Sequence, residues 1–265
     1  MNPIHPYHLI GRGAQADVYL YDNQVIKLFH EGVSEESVLY EADIQQRIYN
    51  AGLSTPQVYG VATMEGRYAI LMEHVPGPSL GELMEKDRTR APEYLKQAAA
   101  LQVQMHKIPG HGLPSQRDKL SSRISSVSAL PEDAKQLLLL LLDSLAADES
   151  VCHGDFHPYN ILQTEKGLAV IDWVDASCGS ALADACRSYL LYLLHGKEAA
   201  EAYLHFYCEQ ANVSKEDVLK WLPVIAGARL IEAGRGDDVE LLLRLAGASP
   251  LHPTKGDEPS AASGG

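Results

Sequence analysis

The alternation of hydrophobic and polar residues in the first third of the chain predicts a small β-sheet with one helix. Four segments have the pattern of strands: 18–21, 24–28, 57–63 and 67–74. Asp22-Asn23 separates the first two as a β-hairpin turn signal, and Glu65-Gly66 joins the last two. Between 35 and 51 the apolar residues repeat at helical spacing, with Leu39, Ile44 and Ile48 near one face, which we expect to be buried, and Gly52 is typical of a helix end.

The segment Pro76-Gly77-Pro78 breaks this pattern and predicts a hinge between two lobes. Beyond the hinge, apolar residues recur mostly at helical spacing, with one short apolar strand at 167–171. After Ser249 the composition shifts to Pro, Ser, Gly and Ala, which predicts disorder. We therefore predict an α+β chain in three parts: an N-terminal lobe over 1–75, a mainly helical lobe over 76–248 and a disordered tail over 249–265.

Composition and charge narrow the class of protein. Of the 265 residues, 46% are hydrophobic, which is enough for a packed core, and the formal net charge of −13 disfavours nucleic acid or an anionic membrane as partner. The longest apolar run, 137–142, is too short to span a bilayer. The four cysteines have no C-x-x-C spacing, and no signal peptide is evident at the N-terminus. These features predict a cytoplasmic protein and leave its oligomeric state open.

A glycine-rich loop lies at the start of the predicted sheet. Gly11 and Gly13 belong to a G-x-G-x-x-A-x-V pattern in which a strand, not a helix, follows the loop. This order is typical of a phosphate-binding loop of the kinase type and not of a Rossmann loop, although a plain hairpin turn has the same pattern. One strand later, Lys27 is the cation expected to hold the α- and β-phosphates of a nucleotide. Glu41, on the following helix, is the best partner for Lys27, with Glu35 and Glu36 nearer the helix start.

The strongest chemical signal is the segment 151–162, a polar centre between apolar flanks. Asp155 and Asn160 are five residues apart, as in a kinase catalytic loop, where the Asp accepts the proton of the hydroxyl and the Asn binds magnesium. Asp172 ends the strand 167–171, where its carboxylate could hold magnesium. We expect His157 either to contact the transferred phosphate or to brace the loop. His153 is expected to support the loop by hydrogen bonds.

The triplet His153, Asp155 and His157 also permits a zinc-hydrolase interpretation, because histidine and carboxylate are zinc ligands. That interpretation leaves the glycine-rich loop, Lys27 and Asp172 without a role.

Together these motifs resemble the aminoglycoside phosphotransferase and choline kinase family. The resemblance covers most of residues 7–190 and includes Val170-Ile171-Asp172-Trp173 and Leu182-Ala183-Asp184-Ala185. It implies a bilobal protein-kinase-like fold with a small antiparallel-sheet N-lobe carrying one helix and a larger, mainly helical C-lobe. It also implies ATP and Mg²⁺, and Asp155 as base. The remaining roles that it implies are Asn160 and Asp172 as metal ligands, Lys27 paired with Glu41, adenine docked near Glu73 and Val75, Asp184 as a structural residue, and Asp175 near the acceptor.

Departures from a protein kinase favour a small-molecule hydroxyl as acceptor. Gly154 stands where a protein kinase has Arg, Asp172-Trp173-Val174 replaces D-F-G, and no A-P-E follows. A protein or peptide kinase and a catalytically silent nucleotide-binding scaffold remain as alternatives. Acidic residues are scattered over 190–246, which would suit a polyamine sugar or simply form solvated helix faces, so the sequence does not choose the acceptor. Asp175 is either a substrate contact or a solvated loop residue.

Overall fold

The computed structural model describes residues 7–233 and 239–248, so the predicted tail at 249–265 lies outside the described residues. The strands are β1 (His8–Arg12), β2 (Ala16–Tyr21), β3 (Gln24–Phe29), β4 (Val58–Met64), β5 (Arg67–Glu73), β6 (Ser150–Cys152), β7 (Ile161–Thr164), β8 (Gly167–Val170) and β9 (Ser177–Gly179). The helices are α1 (Glu35–Asn50), α2 (Leu80–Lys86), α3 (Ala91–Met105), α4 (Gln116–Ser126), α5 (Glu132–Ser144), α6 (Ala181–His195), α7 (Lys197–Ala211), α8 (Lys215–Leu219), α9 (Leu222–Arg229) and α10 (Val239–Leu245).

The first lobe is an antiparallel sheet in the order β1-β2-β3-β5-β4. Asp22 and Asn23 have φ values of 45° and 60°, the left-handed pair that a two-residue hairpin between β2 and β3 requires. The strand register pairs Gly11 with Val18, and Val18 with Lys27. Because directly opposite residues point to the same face of a sheet, the glycine-rich loop and Lys27 share one face.

Helix α1 contacts both lobes. It begins after Ser34, whose hydroxyl accepts a hydrogen bond from the Ser37 amide at 3.2 Å. Val38 and Ala42 pack on the sheet, whereas Ile44 and Ile48 join an apolar cluster with residues of the second lobe. The position of α1 is therefore fixed from two sides.

The second lobe is mainly helical, and its core is the largest apolar cluster of the described residues. Helices α3, α6 and α7 pack together at its centre, and α9 packs against α4, α5 and α6. Two short antiparallel pairs, β7–β8 and β6–β9, also belong to this lobe. No helix in the two described ranges is long and apolar enough to cross a membrane.

The fold class predicted from the sequence is confirmed: the molecule is a two-lobed α+β protein with a five-stranded antiparallel sheet. The hinge is anchored to the second lobe, because the Gln163 amide donates to the Pro78 carbonyl at 2.9 Å. The division of the chain at 75/76 stays a prediction.

Candidate active site

Three predicted residues meet where the lobes face each other. The Lys27 ammonium lies 2.5 Å from Glu41 Oε1 and 3.2 Å from Asp172 Oδ1. Burial alone would lower the pKa of Lys27, but the carboxylates of Asp172 and Glu41 outweigh it and raise that pKa. The cation is therefore held in its charged form, between α1 and the loop after β8.

His153 ties the catalytic loop to the loop that carries Asp172. Its Nδ1 accepts a hydrogen bond from the Asp155 amide at 3.1 Å, so that Nε2 carries the proton and donates to the Ile171 carbonyl at 3.1 Å. The ring is fully buried and packs on Trp173 with a centroid distance of 4.5 Å. Burial lowers the pKa of His153, which favours this neutral, bridging form.

The same bonds bear on the zinc interpretation. Both ring nitrogens of His153 are engaged, and a zinc ligand needs a free nitrogen lone pair. Within residues 7–233 and 239–248, no group of three or more His, Cys, Asp or Glu side chains is placed to hold a metal ion. The geometry therefore disfavours a zinc hydrolase.

The carboxylate of Asp155 lies between two basic side chains. His157 Nε2 is 3.3 Å from Asp155 Oδ2, and the Arg187 guanidinium is 3.7 Å from Asp155 Oδ1. Burial would raise the pKa of Asp155, but the hydrogen bond from His157 and the charge of Arg187 lower that pKa to about 2. His157 Nε2 also lies 3.3 Å from Asn160 Nδ2, and these contacts favour the loop-bracing interpretation of His157.

Asn160 and Asp172 are brought together by the β7–β8 hairpin. Pairing of Ile161 with Val170 sets Asn160 beside Ile171, whose amide donates to the Asn160 carbonyl at 3.0 Å. Asn160 Nδ2 donates to the Asp155 carbonyl at 3.0 Å, so the side-chain oxygen of Asn160 is the atom that could bind a metal ion. Asp172 has a φ of +64°, a strained conformation that aspartate tolerates better than most residues.

These side chains fit magnesium by their chemistry. Magnesium prefers hard oxygen ligands, commonly one or two carboxylates with water and substrate phosphates. An amide oxygen from Asn160 and a carboxylate from Asp172 supply this donor set, and the Asp172 carboxylate is 44% exposed and thus accessible.

The remaining predicted nucleotide contacts lie around the β1–β2 turn and at the end of β5. Gly13 forms the tight β1–β2 turn, with its amide donating to the Ala16 carbonyl at 2.8 Å. A Cβ atom on Gly11 would meet only ordinary contacts with Val18, so the protein itself does not require glycine there. Glu73 ends β5, its amide donates to the Gln57 carbonyl at 2.8 Å, and Val75 follows in the segment that joins the lobes.

Gly154 has a structural reason to be glycine. Its φ is +82°, and a Cβ atom would lie 2.7 Å from the Asp175 carbonyl oxygen. Its amide donates to Asp184 Oδ1 at 2.7 Å, while His106 and Gln102 bond Asp184 Oδ2 at 3.0 and 2.9 Å. Asp184 therefore links α6 to the catalytic loop, and an arginine could not occupy position 154 in this conformation.

A network of basic residues beside Asp155 was not predicted from the sequence. Arg123 contacts Asp175 at 2.5 Å and Glu232 at 2.6 Å, and Arg187 contacts Glu232 at 2.7 Å. Asp175 is thus ion-paired and is not a solvated loop residue. The sequence signal was weak, because single basic residues on helices usually belong to solvated faces.

Comparison with known proteins places the chain in a family. A model of the phosphotransferase enzyme family (APH) matches residues 7–222, and no curated protein sequence matches the chain. A thermostable mutant of aminoglycoside phosphotransferase APH(4)-Ia, solved with ADP and hygromycin B, superposes with a TM-score of 0.68 at 16% identity, over 91% of this chain and 92% of that chain. The choline kinase LicA from Streptococcus pneumoniae gives a TM-score of 0.62 at 18% identity, over 91% and 93% of the two chains.

A third neighbour is aminoglycoside phosphotransferase APH(3'')-Id from Streptomyces rimosus, solved with ADP and streptomycin. Its TM-score is 0.62 at 16% identity, over 86% of this chain and 93% of that chain. Identities this low show a shared fold, which is the kinase-like fold expected from the sequence. Because the family model spans most of the chain, this protein belongs to the phosphotransferase enzyme family.

Proposed function

We propose that this protein transfers the γ-phosphate of ATP to a hydroxyl group of a small molecule, with Asp155 as the base. One observation carries the proposal, namely that hydrogen bonds connect the predicted residues in series. The Asn160 side chain bonds the Asp155 carbonyl, and the Asn160 backbone bonds Ile171. The next residue, Asp172, bonds Lys27. Phosphoryl transfer depends mainly on positioning and on neutralising charge, and this arrangement supports both.

In the proposed reaction, the acceptor hydroxyl donates a hydrogen bond to Asp155. The oxygen then forms a bond to the γ-phosphorus while the bond from that phosphorus to the β-phosphate oxygen breaks, and the proton passes to Asp155. A carboxylate with a pKa of about 2 is a weak base. Asp155 therefore orients the hydroxyl first and takes the proton late, as a loose transition state allows.

The other residues hold the nucleotide. Lys27, fixed by Glu41, is suited to the α- and β-phosphates, while Gly11 and Gly13 leave the loop backbone open to approach them. Asn160 and Asp172 would bind magnesium, which neutralises phosphate charge when bound. Backbone groups near Glu73 and Val75 would meet the adenine. Neighbours of the same fold contain ADP or AMP-PNP, which supports a nucleotide in this cleft.

The fold constrains the class of acceptor less than it constrains the nucleotide. Neighbouring structures contain hygromycin B or streptomycin, and another is a choline kinase, so amino sugars and amino alcohols are the first acceptors to consider. The positive φ of Gly154 and its close contact with Asp175 leave no room for the arginine of a protein-kinase catalytic loop. Intact catalytic polar groups disfavour a silent scaffold.

Replacement of Asp155 tests the proposal. We expect Asp155→Asn to reduce phosphate transfer about 100- to 10,000-fold, the usual range for general base catalysis, while ADP affinity by calorimetry stays within a few-fold. Transfer is measured as ADP release and as phosphorylated product by mass spectrometry, across amino sugars, amino alcohols, hydroxy acids and nucleosides.

Asp143→Asn is the matched control, because Asp143 is 77% exposed on α5. The control should transfer phosphate as the wild type does. Full transfer by Asp155→Asn would remove the assigned base, and nucleotide affinity without transfer to any acceptor would favour a silent scaffold.

A further inference from the structure

The charges beside Asp155 bear on which acceptor the proposed reaction uses, and the inference rests on that proposed function. An acceptor hydroxyl must lie against the Asp155 carboxylate. On the side of Arg187, the neighbouring wall is made by Gly154 and Asp175, whose backbones are in close contact. On this side, the rest of an acceptor would meet the side chains that surround Asp175.

Carboxylates on this wall are already paired with guanidinium groups. Asp175 is bound by Arg123 at 2.5 Å. Glu232 is bound by Arg123, Arg187 and Arg229 at 2.6, 2.7 and 2.5 Å. An ammonium group of an amino sugar would have to displace an arginine from each of these partners. Binding of a polycation would thus break ion pairs that are already partly desolvated.

Lys119 on α4 differs from these arginines because its hydrogen-bond partners are backbone carbonyls and not carboxylates. Its ammonium donates to the carbonyl oxygens of Asp175 and Ala176 at 3.2 and 3.0 Å, and it lies 5.9 Å from the centre of the Tyr40 ring. Among the described residues, no carboxylate lies within ion-pair distance of Lys119. Burial lowers the pKa of Lys119, because its charge is only partly compensated by Asp175 and is opposed by Arg123. An incoming anion would compensate that charge.

A small cavity lies between these groups. Its volume is about 40 Å³, and its wall includes Gln116, Lys119, Arg123, Asp175 and Arg187. By this measure a cavity needs about 10 to 15 Å³ to hold one water molecule, so the space is large enough for a carboxylate group. The wall holds three basic side chains against the carboxylates of Asp175 and Asp184, whereas the chain as a whole has a net charge of −13, so this excess of positive charge is not a general property of its surface.

We propose that the phosphate acceptor is a hydroxyl compound that also carries a carboxylate, which binds Lys119 while the hydroxyl meets Asp155. Hydroxy acids and hydroxy amino acids are then better acceptors than amino sugars or simple amino alcohols. Arginine and lysine bind carboxylates by charge-assisted hydrogen bonds, which are about twice as strong as neutral ones.

Matched acceptor pairs test this assignment. L-serine is compared with ethanolamine, L-homoserine with 3-aminopropan-1-ol, and D-glycerate with ethylene glycol, with kanamycin as the polycation. Each pair differs by the carboxylate alone. We expect kcat/KM to be about 10- to 100-fold higher for the carboxylate member, the value of one charged hydrogen bond.

Lys119→Met separates recognition from support of the loop. We expect its KM for the carboxylate acceptor to rise about 10- to 100-fold, with KM for the matched carboxylate-free acceptor and ADP affinity unchanged. Lys220→Met, at an ammonium whose side chain is 62% exposed on the segment after α8, is the control and should leave both KM values unchanged.

Other outcomes separate this inference from the proposed function. Transfer to kanamycin or to the carboxylate-free acceptors with equal or higher kcat/KM overturns the inference and leaves the proposed function standing. An equal rise of KM for both members of a pair in Lys119→Met means that Lys119 only supports the loop, which also overturns it. If no acceptor is phosphorylated and none stimulates ATP consumption, the proposed function fails and the inference fails with it.

Discussion

At the scale of single residues, the ionisation of Asp155 determines how transfer responds to pH. Its pKa in the folded protein, about 2, lies below the ordinary value of 3.8, so the carboxylate stays charged at every pH above the folded value. We expect kcat/KM to show no acid limb from Asp155 between about pH 8 and pH 5. The measurement is kcat/KM against pH, with stability followed in parallel by circular dichroism.

Removal of the His157 contact should raise the pH at which Asp155 begins to lose its charge. His157→Gln takes away the hydrogen bond that most lowers the pKa of Asp155, so that pKa rises and the loss of activity begins at higher pH. His205→Gln, at an exposed histidine on α7, is the control and should leave the profile unchanged. An acid limb near neutrality that is the same in wild type and His157→Gln would contradict the assignment.

Asp172 combines a functional side chain with backbone strain. Its φ of +64° costs a residue with a Cβ atom about 1 kcal/mol relative to glycine. We expect Asp172→Gly to be about 1 kcal/mol more stable than Asp172→Ala, while both lose transfer because neither supplies a carboxylate near Lys27. Urea unfolding measures the difference.

The control pair is placed in a helix. At Asp143, within α5, glycine should be less stable than alanine by about 1 kcal/mol, because glycine disfavours helical backbone. The same order of stability at both positions would show that backbone conformation at Asp172 is not the cause.

Proximity within the candidate site was predictable where residues are close in sequence. Asp155 and Asn160 lie in one loop, and a single hairpin then brings Asp172 beside them, so short-range sequence order suffices. Arg123 and Arg187 come from α4 and α6, which meet only through tertiary packing. Their helical spacing is the same as that of solvated basic residues, so no local signal distinguished them.

At the scale of elements, segments with a clear hydrophobic pattern form the predicted helix or strand, whereas the three-residue strands were not predicted. The predicted strand at 24–28 is β3, and the helix predicted over 35–51 is α1. Leu39 was expected on the buried face of α1 but is 49% exposed, because the helix buries Val38 and Ala42 on one side and Ile44 and Ile48 on the other. The three-residue strands β6 and β9 are too short for a period-2 pattern to appear.

The hinge offers a test of how the lobes are joined. Gly77 has a φ of +147°, and a Cβ atom there would lie 2.1 Å from the Gln163 carbonyl oxygen on β7. We expect Gly77→Ala to lower the free energy of unfolding by about 2 to 3 kcal/mol, because neither backbone can move without breaking the bond from Gln163 to Pro78. Transfer should also fall, since β7 carries the chain directly on from Asn160.

Gly66→Ala is the control for this change. Gly66 also has a positive φ, +76°, but a Cβ atom there would meet nothing within 4 Å. Its cost should be only the conformational part, about 1 kcal/mol. Equal costs at the two glycines would mean that the contact with β7 does not hold the hinge.

At the scale of the whole molecule, an ion pair and hydrogen bonds join the two lobes in addition to the hinge. Lys27 reaches Asp172, the Arg47 guanidinium donates to the Gly112 carbonyl at 3.2 Å, and the Val170 amide donates to the Ser54 carbonyl at 2.8 Å. Two of these involve α1 or the segment directly after it. Contacts of this kind join residues far apart in sequence, which is why their geometry could not be predicted from local patterns.

The buried thiols of the second lobe predict how the whole fold responds to alkali. Burial raises the pKa of Cys186 and of Cys152 above the ordinary value of 9.0. Above about pH 9 the unfolded chain loses these protons while the folded chain keeps them. The stability that the two thiols contribute is therefore fully present below that pH and is lost as the pH rises. We expect the unfolding free energy to fall by about 1.4 kcal/mol per pH unit for each thiol.

Urea unfolding between pH 8 and 10.5 measures how the unfolding free energy changes with pH in the wild type and in Cys186→Ala. Because one thiol is absent from the variant, its slope should be shallower by about 1.4 kcal/mol per pH unit. Val224→Ala, in the same apolar cluster, makes a comparable cavity without removing a titrating group. This control should lower stability at every pH and leave the slope unchanged. A slope that is unaltered in Cys186→Ala would show that the thiol is accessible to solvent and that the packing around α6 is looser than described.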